Sequence, residues 1–343
     1  MGDKIRIGFI GAGSHAVKVH YPSLTSFTDV ELKAICDLND DRLKSVGEKY
    51  SVDYRFKDYE EMLNKVPLDA VYIIMAPIPA EPYANAKPMT SIVLECLKRG
   101  LHTFVEKPPG VTSSATRKMA EAAKKHGCKS MVGFNRRFIP VFRKAKSVVK
   151  EHGRVTHCSA VFHKNALGEP QPWGLVSHLV ADVIHAVDAL RFMGGEPKKV
   201  SSYISSFHAS YPNSFNALLV FDNGCVGHLC SNYSSGGRIH CFEMHSKSIY
   251  AMVDLPLDPP EKQLAYVLRG NKPYGDMEII RNLDLTGGVR DFHVTYGFLQ
   301  ENRHFIDCIK NDMDPETRFE DAVKTMELVE LIGSSTIETG ERS

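Results

Sequence analysis

No stretch of this sequence is apolar for anything near the roughly 18 residues that span a bilayer, so no membrane segment is expected. It has almost no net charge: 42 lysines and arginines stand against 41 aspartates and glutamates. That balance removes the electrostatic footprint expected for nucleic acid or an anionic membrane. The eight cysteines form no CxxC pair. Scattered through a chain of this length, they read as reduced thiols, not as a disulfide framework or a zinc site. The opening Met1-Gly2-Asp3-Lys4 lacks the apolar core of a secretion signal, and Arg6 stands where a myristoylation motif needs Ser or Thr. Internal repeats and low-complexity tracts are missing as well. These absences leave a soluble chain with a cytoplasmic location as the expectation.

What is present fits that class. Hydrophobic residues make up 43% and charged residues 24% of 343 residues, a length that exceeds one ordinary domain. In the first third, apolar runs at Ile5 to Ile10, Leu32 to Cys36, Ala70 to Met75 and Thr103 to Val105 alternate with helical patterns. The helical patterns include Asp40 to Tyr50 and Thr90 to Arg99. Nearly continuous apolar strands separated by helices predict a parallel sheet covered on both faces. Past Gly133 the pattern changes. A helix is expected over Ser177 to Met193, then a hairpin from Asn216 to Tyr233 turning at Asp222-Asn223-Gly224. Two helices close the chain, over Gly297 to Lys310 and Phe319 to Ser334. The proline-containing segments Ile78 to Pro88 and Asp254 to Gly275 are expected to be an irregular loop and a mobile segment or lid.

The first strand runs into Gly11-Ala12-Gly13-Ser14-His15-Ala16, a G-x-G-x-x-A pattern between strand and helix. The first glycine permits the tight turn and the second lets backbone approach a pyrophosphate. The small third residue allows helix and strand to pack closely, over a helix N-terminus that favours negative charge. The second strand ends in Asp37, placed to accept hydrogen bonds from both ribose hydroxyls and to repel the extra phosphate of NADP. Arg42 is the counter-argument, since it could stack on adenine or contact a phosphate. NAD is therefore expected, with NADP as the alternative.

Two further motifs are Val105-Glu106-Lys107-Pro108-Pro109 and Val132-Gly133-Phe134-Asn135-Arg136-Arg137-Phe138. Together with the glycine turn, with Ile184-His185-Ala186-Val187-Asp188, and with Glu301 to Asp307, they span nearly the whole chain. In these the sequence resembles the glucose–fructose oxidoreductase / inositol dehydrogenase / rhizopine-catabolism family (Gfo/Idh/MocA). The resemblance implies a Rossmann domain, set at residues 1–130. A substrate-binding and oligomerisation α/β domain follows at 131–343, built on a large open, mainly antiparallel sheet. It implies sugar or polyol substrates and a homodimer or homotetramer paired through the outer face of that sheet. Residues expected at the cofactor are Gly11, Gly13, Ser14, His15, Ala16, Asp37, Arg42, Ala76, Pro77, Glu106 and Lys107. His20 also matches a family pattern and reads as helix packing.

Lys107 emerges at a strand end, where a parallel sheet places its ligands, and its cation can stabilise a developing alkoxide. It matches the family's characteristic lysine. A histidine titrating near neutrality can take a hydroxyl proton as hydride leaves the same carbon, the role given to His185. Asp182, one turn earlier, is expected to orient that imidazole or hold a second hydroxyl. The family spacing puts the aspartate four before the histidine, where this chain has Ala181. Lys107, Arg136, Trp173, Asp182 and His185 are the expected substrate contacts. Trp173 reads equally well as a platform for a sugar ring or as a packing anchor. His178, Asp182 and His185 could hold zinc by spacing, but a further ligand is lacking and no metal is expected. Specificity is assigned to loops at Gly168 to Trp173 and Gly236 to His240.

The leading expectation is an NAD(P)-dependent oxidoreductase acting on a carbinol carbon of a sugar, inositol or sugar derivative. The alternatives are a redox-neutral glycosidase or sugar-modifying enzyme with tightly bound NAD, and a non-catalytic nucleotide-binding sensor.

Overall fold

A computed structural model describes residues 4–78, 87–169, 171–174 and 176–334. They fall into two compact units. One is Met1–Asn135 with Phe292–Lys324, and the other is Arg136–Asp291 with Thr325–Ser343. The sequence pattern predicts a single boundary at 130/131. By contacts, the segment Phe292–Lys324 associates with the first unit instead.

The first unit holds six parallel strands: β1 (Ile5–Ile10), β2 (Val30–Cys36), β3 (Tyr54–Phe56), β4 (Ala70–Ile73), β5 (His102–Val105) and β6 (Ser130–Val132). Their order is β3-β2-β1-β4-β5-β6. The last four residues of β1 and all of β4 are buried, as central strands covered on both faces must be. Three of the intervening helices, Asp40–Lys49, Tyr59–Lys65 and Ser113–Lys125, start at side-chain caps. Asn39 accepts from the Arg42 N–H at 3.0 Å and Thr112 from the Ala115 N–H at 3.1 Å, filling donors a first turn leaves open. The helix after β1 begins with a π turn, Ala16–His20, before one α-helical stretch at Tyr21–Thr25. Helix Phe298–Lys310 packs on this region, its Phe305 ring set edge-on to Tyr72 at 5.8 Å.

The second unit is an eight-stranded sheet: β7 (His157–Asn165), β8 (Pro197–Ser205), β9 (Ser214–Phe221), β10 (Val226–Asn232), β11 (Ser234–Ser246), β12 (Ile249–Asp254), β13 (Leu264–Arg269) and β14 (Glu278–Arg281). The order is β14-β13-β12-β11-β7-β10-β9-β8, antiparallel except for the β7–β10 pair. Alternate residues along β9 (Phe215, Ala217, Leu219, Phe221) are buried, while Leu218 is exposed. This period-2 pattern gives the sheet one covered and one open face. Helices Pro140–Lys150 and Ile184–Gly194 pack on it.

Two expectations need correcting. The segment Asp254 to Gly275 is not a lid throughout, because it contains β13, whose Ala265 and Val267 are buried against β12. The prolines that precede this strand sit in its connection to β12, where no ladder hydrogen bond is needed. Gly236 to His240 is likewise not a loop but part of β11, at a register shift between Ser234 and Ile239. Most of the expected loop Ile78 to Pro88 (79–86) lies outside the described residues, as does Pro170 in Gly168 to Trp173. No described helix is long and apolar enough to cross a membrane.

Candidate active site

Gly11 follows β1 at the point where the strand order reverses between β1 and β4, the ligand position of an open parallel sheet. Its φ is +108°, and a Cβ there would fall 2.1 Å from the carbonyl oxygen of Ile74. Only glycine fits. Gly13 differs: around the place its Cβ would take, the nearest atom is Arg42 Nη1 at 4.0 Å. One glycine thus lets the chain pack, and the other leaves backbone open to a ligand. Ser14 and His15 begin the helix, and Ala16 is fully buried beneath it. The Asp37 carboxylate accepts from the Ala12 N–H at 2.7 Å and the Asn39 N–H at 2.9 Å, with Arg42 Nη1 3.9 Å away. Each of its oxygens keeps a lone pair for a ribose hydroxyl. Ala76 and buried Pro77 follow β4. These residues fit a bound dinucleotide.

A buried carboxylate links the glycine turn to the two other motifs. Glu106 Oε1 lies 3.1 Å from His15 Nε2 and 3.0 Å from His20 Nε2, and Oε2 accepts the Lys107 N–H at 3.1 Å. At Gly133, a Cβ would come within 2.7 Å of Oε1, so the second motif begins with glycine where this carboxylate needs room. Burial alone would raise the Glu106 carboxyl, but His15 and His20 outweigh it and hold it below the usual range. Burial lowers His20, which is fully enclosed and therefore neutral. Its Nε2–H donates to Glu106, while Nδ1 accepts from Asn302 Nδ2 at 3.2 Å. His20 is thus part of a polar network, more than the apolar helix packing expected of it. Among the described residues, His15, His20 and Glu106 are also the one trio with metal-ligand atoms all within 4.8 Å. Lys107 is half-buried just past β5, and its bond to Pro108 is cis.

In the second unit, His178 and Asp182 lie on or beside a π turn, Leu179–Val183, that leads into helix Ile184–Gly194. The expected continuous α-helix is therefore interrupted where Asp182 stands, and π turns often mark functional positions. Asp182 accepts from the Tyr233 hydroxyl at 2.5 Å and pairs with Lys164. The His178 ring stacks on Tyr233, centroids 4.5 Å apart. Buried His185 has its Nε2 3.1 Å from Arg136 Nη1. A guanidinium can only donate, so Nε2 carries the lone pair and His185 is neutral. Asp188 serves packing instead. Fully buried, it accepts from Arg137 at 2.8 and 2.6 Å and from Thr325 at 2.9 Å. Trp173 is half-buried in a single 3-10 turn with φ 50°.

Family models match both parts of the chain. An oxidoreductase family with an NAD-binding Rossmann fold (GFO_IDH_MocA) covers residues 5–134, and the GFO/IDH/MocA C-terminal domain covers 142–247. The chain belongs to the Gfo/Idh/MocA family. It is 34% identical over 155 residues to an uncharacterized oxidoreductase, YrbE, of Bacillus subtilis, covering 45% of this chain and 42% of that protein. It is 31% identical over 196 residues to a myo-inositol 2-dehydrogenase of Thermotoga maritima, covering 56% of this chain and 55% of that protein. The aligned part thus spans about half the length of these curated relatives. A crystal structure of a dehydrogenase from Chromobacterium violaceum has the same fold, with a TM-score of 0.84 at 22% identity over 98% of this chain and 96% of that one.

Family motifs point to His185 and Arg136, and helical spacing adds Asp182, but neither marks their neighbours. Lys164 at the end of β7, Tyr233 after β10, and Arg238 and His240 on β11 join the same group. Arg238 Nη2 lies 2.6 Å from His240 Nδ1, and the His240 ring stacks on Phe162 at 3.6 Å. The only sequence signal is polar residues at the ends of strands that otherwise alternate apolar residues inward. The pairing that gathers them is not written in any one segment.

Proposed function

We propose that this chain is an NAD-dependent dehydrogenase acting on a carbinol carbon of a sugar or polyol, with NADP as the less favoured cofactor. The observation that carries the reading is the neutral His185, whose Nε2 holds the lone pair that a hydroxyl proton would need. The aligned myo-inositol 2-dehydrogenase supports a polyol class, and the NAD-binding family model supports the cofactor.

In this reading Gly13 offers open backbone to a pyrophosphate, and Asp37 accepts ribose hydroxyls. A bound nicotinamide would supply the hydride acceptor or donor. His185 takes the hydroxyl proton once Arg136 gives up its bond to Nε2. Asp182, oriented by Tyr233 and Lys164, accepts a second substrate hydroxyl. Lys107 stabilises developing alkoxide charge, and Glu106 fixes its backbone. Trp173 is assigned to the sugar ring. A cytoplasmic homodimer or homotetramer belongs to the same reading, supported by free cysteines and by Tyr203 and Leu218 exposed on β8 and β9. Light scattering on the eluted peak tests the assembly.

The test of activity is incubation with NAD and separate inositols, free sugars, amino sugars and nucleotide sugars, followed by NADH absorbance and product mass. A product two hydrogens lighter with matching NADH is expected, and His185→Asn should lower kcat by about 10² to 10⁴-fold. Product without net NADH would replace dehydrogenation by redox-neutral chemistry.

A further inference from the structure

Three groups able to bind a metal meet beside the glycine turn, and helix geometry explains why. His15 and His20 are five residues apart, a spacing that an ordinary α-helix rotates by about 140°. The π turn Ala16–His20 instead carries an i→i+5 bond, from the Tyr21 N–H to the Ala16 carbonyl, which brings residues five apart onto one side. The two imidazoles accordingly meet edge to face, with centroids 5.6 Å apart. Glu106 follows β5, and its Oε1 lies 3.1 Å from His15 Nε2 and 3.0 Å from His20 Nε2. The three ligand atoms are all within 4.8 Å of one another. Donors bound at about 2.0 to 2.1 Å around a tetrahedral zinc stand about 3.4 Å apart, so the trio is already near that spacing.

The two buried ligands are held from behind. Glu106 Oε2 accepts the Lys107 N–H at 3.1 Å, which leaves Oε1 to the imidazoles. Asn302 turns both amide atoms toward His20 Nδ1, with Oδ1 at 3.3 Å and Nδ2 at 3.2 Å. Nδ1 can therefore accept, as it does while the Nε2–H donates to Glu106, or donate. Moving the proton from Nε2 to Nδ1 frees the Nε2 lone pair and leaves the ring neutral, the state a metal ligand needs. Asn302 is fixed in turn by donating to the Phe298 carbonyl at 2.6 Å. The His20 side chain is fully enclosed, whereas that of His15 is 47% exposed and gives an ion its way in from solvent. Two imidazoles and one carboxylate suit zinc and its neighbours. Magnesium and calcium call for six or more oxygens instead.

We propose that His15, His20 and Glu106 form a binding site for a zinc-class divalent ion, with a fourth position left to water. Coordination would replace the two hydrogen bonds from the imidazoles to Glu106 Oε1 and tie the glycine turn to the end of β5. The site goes beyond the dehydrogenase reading and does not depend on it, since all three ligands and their supports lie in the first unit.

The experiment uses the untagged full chain, stripped of metal by a chelator and kept free of added dinucleotide. Zn²⁺ is titrated by calorimetry and Co²⁺ by absorbance. One ion per chain is expected, with a Kd of about 1 μM or below. Co²⁺ should give the visible bands of a low-coordinate nitrogen and oxygen site, without the near-ultraviolet band of a thiolate ligand. Excess Mg²⁺ should leave the bound ion in place. His15→Ala changes a half-exposed side chain, so it should keep the fold by circular dichroism while weakening Zn²⁺ about 100-fold or more. Cys230→Ser, at the exposed thiol, should bind Zn²⁺ as the wild type does. Anomalous scattering at the zinc edge from soaked crystals locates the ion. Binding that is absent or not stoichiometric, binding unchanged in His15→Ala, a thiolate band, or an ion held elsewhere would overturn the proposal. NADH formation is assayed separately without added metal, so failure of dehydrogenation leaves the ion site standing, and loss of the ion site leaves dehydrogenation standing.

Discussion

The Asp37 carboxylate accepts the Ala12 N–H at 2.7 Å, so the acid at the end of β2 holds the glycine turn, and in the proposed reading it is also the acceptor for the ribose. Both functions need the ionised carboxylate in place. NAD is therefore expected to bind about tenfold or more tighter than NADP, since a second phosphate would face that negative charge. Asp37→Ala should weaken NAD by about 1.5 to 3 kcal/mol and narrow the preference. Quenching of the single tryptophan, or calorimetry with both dinucleotides, measures it, and an unchanged preference would remove Asp37 from cofactor selection.

Asp188 is expected to matter for stability first. Its carboxylate is fully buried with two bonds from Arg137 and one from Thr325. Asp188→Asn leaves the guanidinium without its counter-charge and should cost about 3 to 5 kcal/mol. Urea denaturation of the purified variant reads this directly. A loss below about 1 kcal/mol, roughly the worth of an exposed pair, would contradict it.

Acid should destabilise the fold before any carboxylate titrates. Burial holds His20, His178 and His240 below the ordinary histidine range. The unfolded chain takes up those protons near pH 6.5 while the fold refuses them, so stability is full above that pH and falls below it. Asp69, lowered chiefly by its bonds from Arg6, and Glu106 add losses in the same direction at lower pH, below about 4. The melting temperature should therefore drop between about pH 7.5 and 5.5. A rise over that interval would contradict the assignment of neutral buried histidines.

Thiol chemistry should single out one cysteine. Cys230 is exposed and Cys241 half-buried, while the other six are buried. Burial pushes Cys36 and Cys96 up to about 12 and Cys308 to about 11, far from the thiolate form that reacts. Native protein should titrate about one thiol quickly with DTNB, and Cys230→Ser should abolish that phase. Two or more fast thiols in the wild type would contradict the burial of the rest.

Local sequence determined the first unit closely, because a parallel sheet writes itself as short apolar runs between helices. The glycine turn, Asp37 and the Glu-Lys-Pro motif were legible for this reason, and the hairpin at Asp222-Asn223-Gly224 in the second unit was legible from its turn residues between two alternating runs. Each depends on neighbours a few residues away. Tertiary structure decided what depends on distant partners. It took Phe292–Lys324 into the first unit, set Gly133 against Glu106, and made His20 part of a network with Asn302. It turned part of a supposed mobile segment or lid into strand β13, and a supposed loop into the shifted part of β11. It also gathered Lys164 from β7, Arg238 and His240 from β11, and Tyr233 from the turn between β10 and β11 near Asp182, through strand pairing that joins residues far apart in the chain. A side chain's charge is fixed by its own residue type, but the field it meets is set by whatever the sheet brings beside it.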